Sequence, residues 1–202
     1  VTVAATAALT LSSAAALAAA PLQLGVPDDG TNLSRGIKLL EAAGFIKVDP
    51  AAGYTPEIKD ITDYLYNVEV TPVAANTLPS TLGDFAASTI NGTYAVPYGL
   101  IPSRDALLIE KQDENGENPY VNVIVARTAD KDDEVYQKVV EAYQTQLVAE
   151  FLLVNYHETF YPAFAYDADA AFSVTEENVA EISGYKSSKD GKTVVKVGVC
   201  GG

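Results

Sequence analysis

The sequence predicts an α/β fold, because segments with strand periodicity alternate with segments of helical periodicity. Leu22–Val26 is a short apolar run stopped by Pro27-Asp28-Asp29-Gly30, which is the pattern of a strand followed by a turn. Behind the turn, apolar residues recur at helical spacing up to the stop at Gly44: Leu33, Ile37, Leu40 and Ala43. Such alternation favours α/β layers over a β-sandwich or a helical bundle.

The remaining elements follow in chain order. Thr31 or Asn32 is expected to cap the first helix, and a short helical turn starts at Thr55-Pro56. The strand-like segments that come next are Val68–Val73, Ser88–Ile90 and Tyr120–Arg127. The helical segments are Leu78–Phe85 and Asp133–Tyr156, of which the second keeps the longest helical repeat. The polar segment Gln112–Pro119 is predicted to be a loop.

The two ends of the chain differ from the middle in composition. Residues 1–20 carry no charge and are rich in Ala, which fits a signal remnant or a strand and helix retained in a partial lobe. Residues 21–172 are predicted to form the α/β domain. Residues 173–192 are predicted to be a linker, and residues 193–202 contain the last strand-like segment.

Charge and motif content exclude several function classes. With 27 acidic and 13 basic residues, the net charge of −14 disfavours nucleic acid as a partner. One histidine and one cysteine make a zinc site of the usual kind improbable, and we expect no metal ion or cofactor. The sequence contains no P-loop, no G-x-G-x-x-G and no G-x-S-x-G motif, so we expect no enzymatic activity.

Three segments resemble the methionine-binding lipoprotein family (MetQ/NlpA), and the resemblance covers about residues 22–166. The first runs from Val26 to Arg35 (VPDDGTNLSR) and continues as LLEAAGFI. The second is Ile90–Ala95 (INGTYA), and the third is Asn118–Arg127 (NPYVNVIVAR). Their order and spacing match the family, as does Pro162-Ala163-Phe164 after the last helix.

The resemblance implies a type II periplasmic-binding-protein fold, in which a ligand lies between two lobes. It also implies that Arg35, Asn91 and Asn122 contact the ligand and that Tyr94 and Tyr120 wall its side chain. The residue chemistry fits a free amino acid: a guanidinium grips a carboxylate with two parallel hydrogen bonds, and an amide both donates and accepts.

The function implied is capture of a free amino acid, methionine or a similar one, for an ABC importer. The partners would then be that small molecule and the importer permease, and the location would be extracytoplasmic, with membrane anchoring in the full-length protein.

The resemblance departs from the family pattern in one lobe. One lobe is expected to be largely complete and the other partial, because only residues 1–21 precede the matching region. Lys192–Val199 resembles the opening strand of the family, although it lies at the C-terminus. Tandem copies, circular permutation with truncation, and strand exchange between molecules each account for this order. The last would allow self-association through residues 193–202, and it supports an alternative function as a structural subunit.

Overall fold

The computed structural model describes residues 20–111, 119–157 and 159–182. The strands are β1 (Leu22–Pro27), β2 (Ile46–Val48), β3 (Ile61–Tyr64), β4 (Val68–Val73) and β5 (Ala87–Ser88). The helices are α1 (Gly30–Ala42), α2 (Gly92–Ala95), α3 (Pro102–Asp105), α4 (Glu134–Tyr143), α5 (Gln146–Asn155) and α6 (Val179–Ile182). The predicted α/β class is confirmed.

A three-stranded parallel sheet organises the N-terminal half. β1 lies in the middle and pairs with β4 on one side and β5 on the other. Both faces of β1 are covered, which is why its residues from Leu24 to Pro27 are all buried and read as a continuous apolar run. β2 and β3 form a separate antiparallel pair, which the sequence reasoning did not predict.

The core lies between the three-stranded sheet, strand β2 and the apolar face of α1. It consists of Leu24, Val26, Ile37, Leu40, Ile46, Val48, Val68 and Val70. Because α1 presents its apolar residues at helical spacing, one of its sides packs on the sheet and the opposite side remains available for other contacts.

The start of α1 corrects the predicted cap. Asp29, and not Thr31 or Asn32, is the N-cap, and its carboxylate accepts a hydrogen bond from the backbone N–H of Asn32 at 3.1 Å. A carboxylate satisfies an unpaired N–H at a helix start and also favours the positive end of the helix dipole. The side-chain amide nitrogen of Asn32 donates to the same carboxylate oxygen at 2.9 Å, and its Oδ1 accepts hydrogen bonds from other residues.

The predicted helix Leu78–Phe85 is wrong. The region contains only the 3-10 turns Ala75–Thr77 and Leu82–Asp84. Hydroxyls of Ser80 and Thr81 donate to the carbonyl of Thr77, so side chains take the acceptor that a regular helix would use. The strand predicted at Ser88–Ile90 is present but begins one residue earlier and ends at Ser88.

Two predictions in the C-terminal half are also wrong. Tyr120–Arg127 forms no strand within the described residues, and Val123 and Val125 are 73% and 80% exposed. The single helix predicted at Asp133–Tyr156 is divided into α4 and α5. Thr145 has extended backbone angles and its hydroxyl accepts from the N–H of Val148, so a new cap interrupts the periodic pattern.

A buried carboxylate joins α5 to the segment that precedes α6. Glu150 is 3% exposed, and its side chain accepts hydrogen bonds from the backbone N–H groups of Ser173 and Val174 and from the Ser173 hydroxyl. Burial tends to raise the pKa of Glu150, but these bonds together with one from Gln146 lower that pKa below its ordinary value.

In the described ranges, the helices are all too short or too polar to traverse a lipid bilayer.

Candidate functional site

The site is built from α1, which follows the carboxyl end of β1, and from the segment that follows β5. These strands are parallel neighbours, so their ends meet at one edge of the sheet, where α/β proteins commonly bind ligands. Asn32 follows β1 and Asn91 follows β5. The amide nitrogen of Asn91 donates to Oδ1 of Asn32 at 2.7 Å, which links α1 directly to the segment after β5.

Arg35 lies one turn further along α1 and joins the same network. Its Nη1 donates to Oδ1 of Asn32 at 3.2 Å, and its Nε and Nη2 form an ion pair with the carboxylate of Glu110. The ring of Tyr120 covers the guanidinium, with 5.2 Å between the Cζ of Arg35 and the ring centroid. Asn32, Arg35, Asn91, Glu110 and Tyr120 are hereafter called the Arg35 cluster.

Arg35 is a permanent cation in this setting. Hydrogen bonds to Glu110 raise the pKa of Arg35 above its ordinary value, and they outweigh the opposing effect of burial. The side chain is still 33% exposed, so an incoming anionic group can reach it from solvent.

Asn91 contributes an acceptor that lacks a donor. Its Oδ1 is buried, and no hydrogen-bond donor reaches it from the described residues. An unsatisfied buried acceptor is costly, so a ligand N–H delivered to this atom would be favoured. The Arg35 cluster therefore offers a fixed cation and an amide oxygen, which complement a carboxylate and an ammonium.

A cleft of about 570 Å³ adjoins the cluster. Its walls come from the first turns of α1, from the segment before β3 and from Tyr120, and they include Leu33, Tyr54 and Ile58. The hydroxyl of Tyr120 donates to the carbonyl of Tyr54 at 3.2 Å. Tyr120 is thus shared by cleft and cluster, whereas Arg35 and Asn91 stand beside the cleft and do not line it.

The structure brings together three of the five residues singled out from the sequence. Arg35, Asn91 and Tyr120 belong to one cluster, and half-buried Tyr94 follows Asn91 on α2. Asn122 is exposed, contrary to the expected buried position within a strand, and within the described ranges no hydrogen bond connects it to the cluster. Its proposed contact with a ligand stays a prediction.

Sequence reasoning missed Asn32 and Glu110. Asn32 precedes Arg35 by three residues, which places the two side chains on one helix face, but its position before an apolar helical pattern favours only a capping role. Glu110 is 75 residues from Arg35, and no local pattern connects them.

A family model described as NlpA lipoprotein matches residues 20–164. The chain belongs to the NlpA lipoprotein family. This confirms the family resemblance.

Curated relatives of this NlpA-family chain include D-methionine-binding lipoprotein MetQ of Escherichia coli K12, which is 39% identical over 130 residues. That alignment takes in 63% of this chain and 46% of the relative. Outer membrane lipoprotein 3 of Mannheimia haemolytica is 40% identical over 125 residues, and that alignment takes in 62% of this chain and 46% of the relative. The chain therefore spans about half the length of the curated relatives that it matches.

Solved structures agree with the fold. The methionine-binding protein MetQ superposes with a TM-score of 0.63 at 34% identity, over 72% of this chain and 59% of that one. A nutrient-binding protein from Burkholderia cenocepacia, solved bound to methionine, superposes with a TM-score of 0.64 at 32% identity. The superposition covers 72% of this chain and 60% of that one. The predicted periplasmic-binding-protein fold is confirmed, and partial cover of these structures agrees with one lobe being partial.

Proposed function

We propose that this chain is the ligand-binding part of an extracytoplasmic solute-binding protein that captures a free amino acid, methionine or a close analogue, for an ABC importer. The observation that carries the proposal is the Arg35 cluster at the carboxyl ends of β1 and β5. The names of the relatives from E. coli and B. cenocepacia support methionine as the ligand. No covalent step and no cofactor enter this mechanism.

Each part of the amino acid has a matching group. The guanidinium of Arg35 takes the carboxylate through charge-assisted hydrogen bonds, and Asn91 Oδ1 takes one ammonium hydrogen. The cleft beside Tyr120 has mixed polar and apolar walls, and its residues Leu33, Tyr54 and Ile58 would contact the ligand side chain. Closure of two lobes over the ligand would then present a shape that the importer permease recognises.

Calorimetric titration of the chain with L-methionine, D-methionine and a panel of other amino acids tests the proposal. Arg35→Ala removes a charge-assisted interaction worth roughly 2–3 kcal/mol, so affinity is expected to fall by roughly 30- to 150-fold. Asn91→Ala is expected to weaken binding by roughly tenfold.

Arg127→Ala serves as the matched control. It removes the same charge from an arginine whose side chain is 83% exposed and forms an ion pair with Asp130, so affinity should stay within twofold. Absence of binding to every amino acid, or equal losses in Arg35→Ala and Arg127→Ala, would refute the proposed function.

A second candidate function is self-association as a structural subunit. The exposed apolar segment Val121–Val125, in which Val123 and Val125 have large exposed fractions, favours it because such a segment can accept an added strand. The predicted donor, residues 193–202, lies outside the described residues. Its test belongs to the whole molecule and is given in the Discussion.

A further inference from the structure

The carboxylate of Glu110 binds the edge of the Arg35 guanidinium that carries Nε and Nη2. The Nε of Arg35 lies 3.1 Å from Oε1 and 3.2 Å from Oε2 of Glu110, and Nη2 donates to the same Oε2. This is the two-point geometry with which a guanidinium recognises any carboxylate. A carboxylate of the protein itself therefore occupies the edge of Arg35 that the proposed ligand would use.

The rest of the guanidinium is fixed in place. Nη1 is held by Asn32, and the ring of Tyr120 covers one face. Swinging Arg35 toward another partner would break both contacts. An incoming carboxylate and Glu110 thus compete for one edge of one arginine. Because the two side chains are 33% and 36% exposed, the exchange can take place without uncovering a buried charge.

The charge balance of the Arg35 cluster determines which ligands can displace Glu110 from Arg35. Arg35 is paired with Glu110, and the carboxylate of Asp29, which is bonded to Asn32 at the start of α1, adds a second negative charge to the surroundings of the guanidinium. A ligand with only a carboxylate would add a third negative charge and leave Glu110 without its partner. A zwitterion also carries an ammonium. When its carboxylate replaces Glu110 as the partner of Arg35, its ammonium can form a new ion pair with Glu110.

We propose that Glu110 is a specificity-determining residue, displaced from Arg35 by the ligand carboxylate and then paired with the ligand ammonium. It thereby selects amino acids over carboxylic acids of the same shape. The inference deepens the proposed function and rests on it.

The test compares methionine with 4-(methylthio)butanoic acid, which has the same skeleton without the ammonium, in the wild-type chain and in Glu110→Gln. The ratio of the two dissociation constants should favour methionine in the wild type and shrink by at least tenfold in Glu110→Gln. Glu69→Gln removes a charge from an exposed strand residue bonded to Gln23 and should leave the ratio unchanged. If Glu110→Gln weakens both ligands by the same factor, its role is structural and the inference is overturned.

A second measurement does not depend on methionine binding. In ¹⁵N–¹H spectra, with the Arg35 Nε–H signal assigned through Arg35→Lys, acetate should shift this signal in Glu110→Gln but not in the wild type. An unresponsive Glu110→Gln signal overturns the inference even if the wild type binds methionine, in which case the proposed function survives. A different outcome is that neither the wild type nor Glu110→Gln binds methionine, while acetate shifts the signal only in Glu110→Gln. The proposed function would then be wrong, but Glu110 would still be the group that blocks access to Arg35.

Discussion

Glu150 shows how one side chain can hold two distant segments together. Its buried carboxylate accepts hydrogen bonds from Ser173 and Val174, 23 and 24 residues further along the chain. Because those donors stabilise the charged form, the pKa of Glu150 is lowered from its ordinary value of 4.5. A carboxyl whose pKa is lower in the folded state stabilises the fold above its unfolded pKa, and this stabilisation is lost as pH falls through the folded pKa.

We therefore expect Glu150→Gln to cost roughly 1–3 kcal/mol of unfolding free energy at pH 7. The difference from wild type should shrink as pH falls below the ordinary pKa of 4.5 and disappear once the carboxyl is protonated in the folded state as well. Urea unfolding at several pH values measures it, with exposed Glu141→Gln as the control, which should track the wild type throughout. A cost that stays constant with pH would contradict the role assigned to the charge.

At the scale of elements, the contact between α1 and the segment after β5 depends on Gly36. A Cβ at this position would lie 2.6 Å from the Thr89 hydroxyl oxygen, and Thr89 is buried and β-branched, so it has little freedom to rotate away. The close approach is also what brings Arg35 on α1 near Asn91, two residues after Thr89.

Gly36→Ala is accordingly expected to destabilise the protein relative to Gly30→Ala. Both variants gain helix propensity, by up to about 1 kcal/mol, but only Gly36→Ala overpacks its surroundings, at a cost of roughly 1–3 kcal/mol. At Gly30 nothing lies within 4 Å of the added Cβ. Thermal and urea midpoints of the two variants give the comparison, and equal stability would show that α1 can shift freely.

The elements also show how far local sequence patterns reach. β1, α1 and β4 could be predicted because their periodicity reflects burial by near neighbours. Tyr120–Arg127 could not be predicted correctly, because a strand needs hydrogen bonds from another strand, and within the described ranges none lies beside it. The same limit explains why Glu110 was missed as a site residue: its pairing with Arg35 depends on how the chain folds back and leaves no mark on either local pattern.

At the scale of the whole molecule, exposure of Val123 and Val125 allows an added strand from another copy. If residues 193–202 supply it, sedimentation velocity should detect dimers or larger species that disappear in a chain ending at Lys192. Val123→Lys, which puts a charge on the receiving segment, should have the same effect. Tyr161→Lys puts the same charge on an exposed residue elsewhere and should leave association unchanged. A monomeric full chain would exclude this candidate function.

The parallel sheet has a consequence for the order of events during folding. Leu22 pairs with Val68 and Leu24 with Ala87, and the Asn32–Asn91 and Arg35–Glu110 contacts span 59 and 75 residues. Contacts this remote in sequence form slowly, because the entropy of the long intervening loop is lost before the contacts can stabilise the chain. Because the Asn32–Asn91 contact spans about as much chain as the pairing of β1 with β5, we expect the Arg35 cluster and the sheet to form in the same slow step. Under the proposed function, an amino acid would bind only to the finished fold, so a bound ligand would slow unfolding rather than speed up folding.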